Sequence, residues 1–311
     1  MSPFHSGEIE VQARLAARED AERVGRIVAS EIPPAVAPVL RRQRMAVAAS
    51  LDGEGRPWAS LLTGPAGFIE AVDGGLLRIA AALPPDDPLT ANLRARPELG
   101  LLVLDTGTRQ RLRFNGRGRL SPDGLFLLVE EVYGNCPKYI QKRRLVGERA
   151  GEAGPLLRSS SLDARQHTLI AGADTLFVAT WHPKGGADAS HRGGRPGFVR
   201  VMADGMLEFS DYPGNNMFNT LGNLAGHPRA GLLFVDFARG DLLQLTGRAQ
   251  IVWKPETAVR VEIEEVRETA GGSPLRFELV EPWPANPPLA VTPGGPGHLK
   301  DGAGPRAGEG G

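Results

Sequence analysis

Gly231-Leu232-Leu233-Phe234 followed by Leu243-Gln244-Leu245-Thr246-Gly247-Arg248-Ala249 reads as two adjacent strands, and the chain carries the pattern twice. The first piece is a short apolar run suited to a buried strand. In the second, Leu243, Leu245, Ala249, Ile251 and Trp253 face one side, while Gln244, Thr246, Arg248 and Gln250 face the other. That period of two predicts a half-buried antiparallel strand. The earlier copy is Gly100-Leu101-Leu102 followed by Leu112, Phe114 and Leu120, which oppose Arg113, Asn115, Arg117 and Arg119.

Gly116 and Gly247 lie 131 positions apart, and the same offset aligns Asn92 with Asn223, Leu93 with Leu224, Pro97 with Pro228 and Asp105 with Asp236. It also sets Ala48 on Ala179, Gly55 on Gly186 and Pro65 on Pro196, with a one-residue adjustment near Phe68 and Phe198. The matches centre on residues that set turns and special backbone angles, so they mark a duplicated domain. Each copy reads as a strand (Met45 to Ser50; Leu176 to Trp181), a turn, a second strand, a hairpin around Asp73-Gly74-Gly75 or Ala203-Asp204-Gly205, and a short helix (Leu89 to Arg94; Met217 to Leu224). The apolar strand and the alternating strand close the copy. Mostly antiparallel strands with one short helix predict a mainly β, α+β chain of two tandem small barrels.

The flanks are expected to be helical. Residues 1–40 form an N-terminal helical segment, with Ile9, Val11, Leu15, Val24, Ile27, Val28 and Ile32 near helical spacing, Ser6 as its cap and Pro33-Pro34 as its stop. Residues 41–150 hold the first barrel with a helical extension, and 151–283 hold the second. Between the copies, Leu125, Leu128, Val129 and Val132 suggest one helix face, and a second helix starts near Ser160 and runs through Ile170. A further strand pair is expected at Val259 to Val266 and Leu275 to Val280, and 284–311 reads as a disordered Pro/Gly tail.

Composition narrows the function. Lys plus Arg and Asp plus Glu both total 36, so no basic excess points to nucleic acid. The single cysteine, Cys136, leaves no intrachain disulfide and no cysteine-rich metal site, and the six histidines lack metal-ligand spacing. No run approaches the roughly 20 apolar residues of a membrane span, and no signal peptide is legible, so a cytoplasmic protein is the expectation.

The order of elements resembles the pyridoxamine 5'-phosphate oxidase family and the wider flavin-binding split barrels. Asp52-Gly53-Glu54-Gly55-Arg56-Pro57 is similar to that family's first hairpin, and the passage from Asn223-Leu224 through Pro228 to Gly247-Arg248-Ala249 is similar to its helix, apolar strand and closing strand. Gly134-Asn135-Cys136-Pro137-Lys138-Tyr139-Ile140 resembles a Cys-Pro-Lys motif of bacterial members. The resemblance implies flavin mononucleotide (FMN) between two barrels, with the fused pair replacing a homodimer. Neither copy has the oxidase's Ser-Arg-Lys phosphate cluster, so vitamin B6 oxidation is not carried over.

A flavin needs donors or cations for its phosphate, a flat wall for its ring and a donor at the N1–O2 edge. Copy two offers Asp188, Ser190, His191 and Arg192 on its second strand, with Asp188, Ser190 and Arg192 facing one way and His191 the other. Asn215, Asn216 and Asn219 open its short helix, where free N–H groups favour an anion. Lys138 and Cys136 follow copy one. Copy one has apolar Trp58-Ala59-Ser60-Leu61-Leu62 and acidic Asp86-Asp87 at the matching places, so one competent site and one degenerate site are expected. Each of these stretches also has a plainer reading: a polar surface hairpin, helix-capping asparagines, a packed cysteine and a solvated lysine. The leading expectation is an FMN-dependent oxidoreductase acting on a small molecule, with a homodimer of the fused pair as its candidate assembly. Its alternatives are a non-catalytic flavin or heme carrier, with His182, His191 or His227 as axial ligand, and an empty scaffold.

Overall fold

The computed structural model describes residues 2–84 and 86–289. Most of it is β. Three short helices come first, α1 (Ser6–Arg14), α2 (Arg18–Gly25) and α3 (Ala37–Arg41). Copy one follows with β1 (Met45–Leu51), β2 (Pro57–Thr63), β3 (Ile69–Ala71), β4 (Leu76–Ile79), α4 (Pro88–Ala95), β5 (Glu98–Asp105), β6 (Gln110–Ser121) and β7 (Gly124–Asn135). A connector holds β8 (Lys142–Glu148), β9 (Leu156–Ser159) and α5 (Ala164–Gly172). Copy two has β10 (Thr175–His182), β11 (Gly186–Gly193), β12 (Val199–Val201), β13 (Leu207–Ser210), α6 (Asn219–Gly226), β14 (Arg229–Val235), β15 (Leu242–Val252) and β16 (Ala258–Thr269), and β17 (Leu275–Glu281) ends the series.

The two sheets share one strand order, β2-β1-β5-β6-β7-β4-β3 and β11-β10-β14-β15-β16-β13-β12. The duplication extends to irregularities. A β-bulge falls between Asn115 and Gly116 in one copy and between Thr246 and Gly247 in the other. Gly64 and Gly194 lie against the Cβ atoms of Phe68 and Phe198, and Gly67 and Gly197 take φ of +89° and +92°. The offset is 130 through the first hairpin, where Ala49 and Ala179 sit opposite Gly100 and Gly231. Ala48 with Ala179, Gly55 with Gly186 and Pro65 with Pro196 are therefore one residue out of register. The shift to 131 falls between that hairpin and the short helix.

Each copy closes around its own apolar core, Phe114 and Leu127 among the buried residues of the first and Phe209 and Leu245 of the second. A third apolar cluster lies between the copies and draws Val47, Ala49, Ala59 and Leu102 from one and Phe177, Ala179, Ala189 and Leu233 from the other. The contact is close enough to exclude side chains at two points. A Cβ on Gly100 would stand 2.4 Å from the Ala187 carbonyl oxygen, and one on Gly231 would stand 2.4 Å from that of Pro57.

Several expectations fail at the flanks. The N-terminal segment breaks at Ala16, whose φ is +52°, and α1 is capped by His5, not Ser6. The expected helix over Leu125 to Val132 is strand β7, in which Leu125, Leu127 and Val129 are buried and Leu128 is exposed. The bulge opposite Gly116 shifts the alternation, so Val129 and Val132 both face inward and imitate helical spacing. The later helix does form as α5, capped by Asp163 with Gln166 in a capping box. β16 and β17 do not pair with each other; β16 lies beside β15 and β17 pairs with β8. Of the expected disordered tail, 284–289 is described and Asn286 donates to Gln141 Oε1 at 3.2 Å. Residues 290–311 lie outside the described residues.

Because backbone atoms, not flexible tips, meet those two glycines, Gly100→Ala and Gly231→Ala should each cost about 1–3 kcal/mol in urea unfolding. A Gly→Ala change at Gly53, which has nothing within 4 Å, should stay within about 0.5 kcal/mol.

Candidate functional site

The seam aligns the polar face of β6 from copy one with the end of β11 from copy two. Arg113 projects from β6 into the interior, where its guanidinium donates to Tyr133 Oη at 2.8 Å, Asp188 Oδ1 at 3.1 Å and Ser190 Oγ at 2.6 Å. Asn115, two residues on, donates to Asp188 at 2.8 Å, and Asn223 at the core of α6 donates to Asp188 Oδ2 at 2.6 Å. Asp188 thereby accepts from donors of both copies, as a buried carboxyl requires.

Above this network lies a pocket of about 80 Å³. On a scale where one water requires roughly 10–15 Å³, it has room for several waters or one phosphate-sized group, and too little for a three-ring system. Its walls bring together Lys138, Ser190, His191, Arg192, Asn215, Asn216 and Asn219 from the expected set, with Cys136 beside them. Asp188 stands behind the wall. His191 and Arg192 both line the cavity, because the pocket wraps the end of β11, so the expected division between two faces does not keep them apart. The three asparagines are also structural ties: Asn215 donates to Asn135 Oδ1, Asn216 to Asp20 and Asn219 to Glu8.

Sequence reasoning missed Arg111, Arg113, Tyr139, Asp211 and Tyr212, which also line the pocket. Arg113 and its neighbours were visible as the polar side of an alternating strand, yet nothing in the sequence aimed that side at the other copy. Arg111 is the central omission. Its guanidinium donates to the Cys136 carbonyl at 2.6 Å and approaches His191 Nδ1 at 3.3 Å, and among the described residues no carboxylate neutralises it. Arg113 has Asp188, and Arg192 has Asp211 at 3.1 Å. Burial, then the charges of Arg113 and Arg192, push Arg111 down to about 9, so it is a cation at neutral pH with a strong demand for an anion. Burial, then the charges of Arg111, Arg192 and Arg143, depress His191 well below the usual imidazole range. With Nδ1 facing a guanidinium donor, its proton lies on Nε2. That atom, Arg111 Nε, Arg113 Nε, Arg192 Nε and Asn135 Nδ2 are buried donors with no acceptor among the described residues.

Two side chains close the mouth. Tyr139, at φ +66°, donates its hydroxyl to the Pro213 carbonyl at 2.9 Å, and Lys138 Nζ reaches the same oxygen at 3.4 Å. The Tyr139 and Tyr212 rings lie 5.4 Å apart in a tilted arrangement.

Copy one's counterpart is filled. Asp87 caps α4, accepts from Ser60 Oγ at 2.6 Å and from Gln244 at 3.2 Å, and burial raises its carboxyl to about 6. Gln244 stands where Arg113 stands in the other half, and Trp58 stands where Asp188 does.

Two matching split sheets with a cationic pocket on one side of their seam define a tandem split-barrel protein. The chain belongs to the pyridoxamine 5'-phosphate oxidase family, whose profile matches residues 32–148 and 162–291. Solved structures similar to single copies include HupZ of Group A Streptococcus (16% identity, 33% of this chain and 90% of that one, TM-score 0.28). Others are a FAD-binding protein of Mesorhizobium loti (14%, 37% and 96%, 0.26) and a heme binding protein of Mycobacterium smegmatis (17%, 36% and 55%, 0.25). No curated protein matches the chain. Among the described residues, no helix is long and apolar enough to cross a membrane.

Helix α1 buttresses the site from behind. Glu8 is buried, accepts from Asn219 at 2.6 Å, and is pushed up to about 8 by burial and by Asp188, with Glu131 adding to the effect. The folded protein therefore keeps a proton that the unfolded chain releases near its ordinary value of 4.5. Between those two values the unfolded state binds fewer protons, so stability falls as pH rises. Replacing Glu8 by Gln should flatten the stability-versus-pH curve between pH 5 and 8 by up to about 1.4 kcal/mol per pH unit, measured by urea unfolding in matched buffers.

Proposed function

We propose that the pocket holds the phosphate end of a flavin mononucleotide and that this chain is a flavin-dependent oxidoreductase acting on a small molecule. The observation that supports this best is Arg111, a buried guanidinium that among the described residues has no counter-ion, set among four further donor atoms that lack acceptors there. Leaving such a charge unmatched costs several kcal/mol, and a phosphate dianion would offset it. Arg111, Arg192 and Lys138 would hold the phosphate oxygens, and the Nε2–H of His191 supplies a neutral donor. Bound flavin supplies two-electron hydride chemistry at its ring. The ring exceeds the cavity, so it would occupy the mouth, with the Tyr139–Pro213 hydrogen bond open and the two tyrosines as its wall. Asp211 stays paired with Arg192 and keeps that guanidinium from swinging away.

The heme reading finds less support in the histidines. His182 stacks on His5 at 3.7 Å and accepts from the Lys184 amide, His227 Nε2 donates to the Gly55 carbonyl, and the protonated Nε2 of His191 offers no lone pair.

Titration of the purified chain with FMN should quench flavin fluorescence at one equivalent per chain, because Asp87 occupies the counterpart in copy one. Arg111→Met should weaken FMN binding by about 10- to 1000-fold, the value of one to two charge-assisted hydrogen bonds, and leave riboflavin binding nearly unchanged. No uptake of FMN by the parent protein would end this reading. Tyr139→Phe should speed FMN association without loss of affinity, as seen by stopped-flow fluorescence.

A further inference from the structure

On the outside of copy one, α4 ends over β6 and β7 and leaves a groove of about 630 Å³ that reaches copy two at Arg96. Leu93 and Leu128 belong to its floor, and Leu128 is 53% exposed. Its rim carries Arg94, Arg96, Arg117 and Arg119. Among the described residues, none of these four guanidinium groups has a carboxylate within 4.0 Å. Arg96 rests 5.6 Å from the Trp181 ring centroid and Arg119 lies 5.9 Å from that of Phe126. The nearest acidic side chains in register, Glu98 across from Arg117 and Glu130 in the bulge, make no ion pair with them.

The second copy is an internal control for what the fold itself requires. There Ala225, His227 and Gln250 stand in place of Arg94, Arg96 and Arg119. Leu128 is replaced by Glu262, which pairs in register with Arg248 as Leu128 does with Arg117. Arg248 itself is neutralised by Glu264 at 3.1 Å. The barrel therefore folds with a neutral or acidic surface here. The helix C-terminus accounts for cations at Arg94 and at its C-cap Arg96, but not for Arg117, Arg119 or the exposed leucine beneath them. Four like charges around one groove repel one another, and an apolar floor between them is uncovered. Both costs are offset by a ligand that carries negative charge on an apolar body.

We propose that this groove is a second binding site, for a small organic anion with an aromatic or aliphatic body and a carboxylate, phosphate or sulfonate head. The volume lies within the roughly 300–1,000 Å³ of small-molecule sites. Arginine suits the task because its planar, weakly hydrated fork binds such heads while packing against apolar surface. The chain's net charge of zero makes the patch a local feature, not part of a general polyanion surface.

The test uses the full chain carrying one equivalent of FMN at the seam pocket, with no free FMN, and anilinonaphthalene sulfonate as probe, followed by isothermal titration calorimetry. Saturable binding at one equivalent is expected, weakened at least about tenfold by the double change Arg117→Ala and Arg119→Ala, and equally by Leu128→Glu, which copies the second half. Uncharged phenylnaphthylamine should bind at least about tenfold more weakly than the sulfonate, and added salt should weaken the sulfonate alone. Equal binding by parent and variants would overturn the proposal. So would equal affinity for the uncharged analogue, or a dimer in sedimentation that Leu128→Glu dissociates, since the groove would then be a contact between copies of the chain. The substituted positions are on the surface, and circular dichroism of each variant verifies its fold.

Discussion

The approach of the two sheets at Gly100 and Gly231 is the constraint on which the rest of the molecule depends. Both glycines face backbone, so the copies meet at a separation no side chain permits. That separation lets β6 of one half reach β11 of the other. Arg113 can then bond Asp188 and Ser190 directly, and Arg111 can lie beside His191. A seam wider by one methyl group would leave these arginines short of their partners and would open the apolar cluster of alanines between the sheets.

Duplication also explains why there is one pocket of this kind and not two. A twofold arrangement of identical halves would present the same residues on both sides of the seam. Here one side holds Arg113 with Asp188, and the other holds Gln244 with Trp58, with the Asp87 carboxyl buried at the cap of α4. The first side keeps an open pocket lined by Arg111 and Arg192, and the second is closed by its own side chains. In copy two the residue at the cap of α6 is Phe218 in the left-handed conformation, with no side-chain acceptor for the first turn. The helix cap thus differs between the halves, an acidic acceptor at Asp87 and an apolar ring at Phe218.

The N-terminal segment belongs to the same construction. α1 packs against α6 so closely that a Cβ on Gly7 would stand 2.2 Å from the Gly222 carbonyl oxygen. Glu8 ties Asn219, and Gln12 donates to the Met217 carbonyl, so the bend that forms one wall of the pocket is set from outside the barrel. The price is a buried group of carboxyls around Arg113, with Glu8 and Glu131 raised to about 8 and about 7.

Much was legible from residue order alone. Two strands with period two and a long repeat specify a duplicated antiparallel unit, since alternation and turn glycines are local consequences of backbone geometry. The pocket residues on β11 and at the start of α6 could be named because copy two is polar where copy one is apolar. What sequence could not supply was everything set by a bulge or by the seam. The bulge opposite Gly116 made Leu125 to Val132 imitate a helix, and the offset of 130 in the first hairpin lay one residue from the pattern that seemed to fit. Arg111 and Arg113 read as ordinary solvent-facing residues of a half-buried strand. Only the tertiary structure buries that face, because the second sheet covers it: Arg113 meets Asp188 there, while Arg111 lies beside His191 with no carboxylate partner among the described residues.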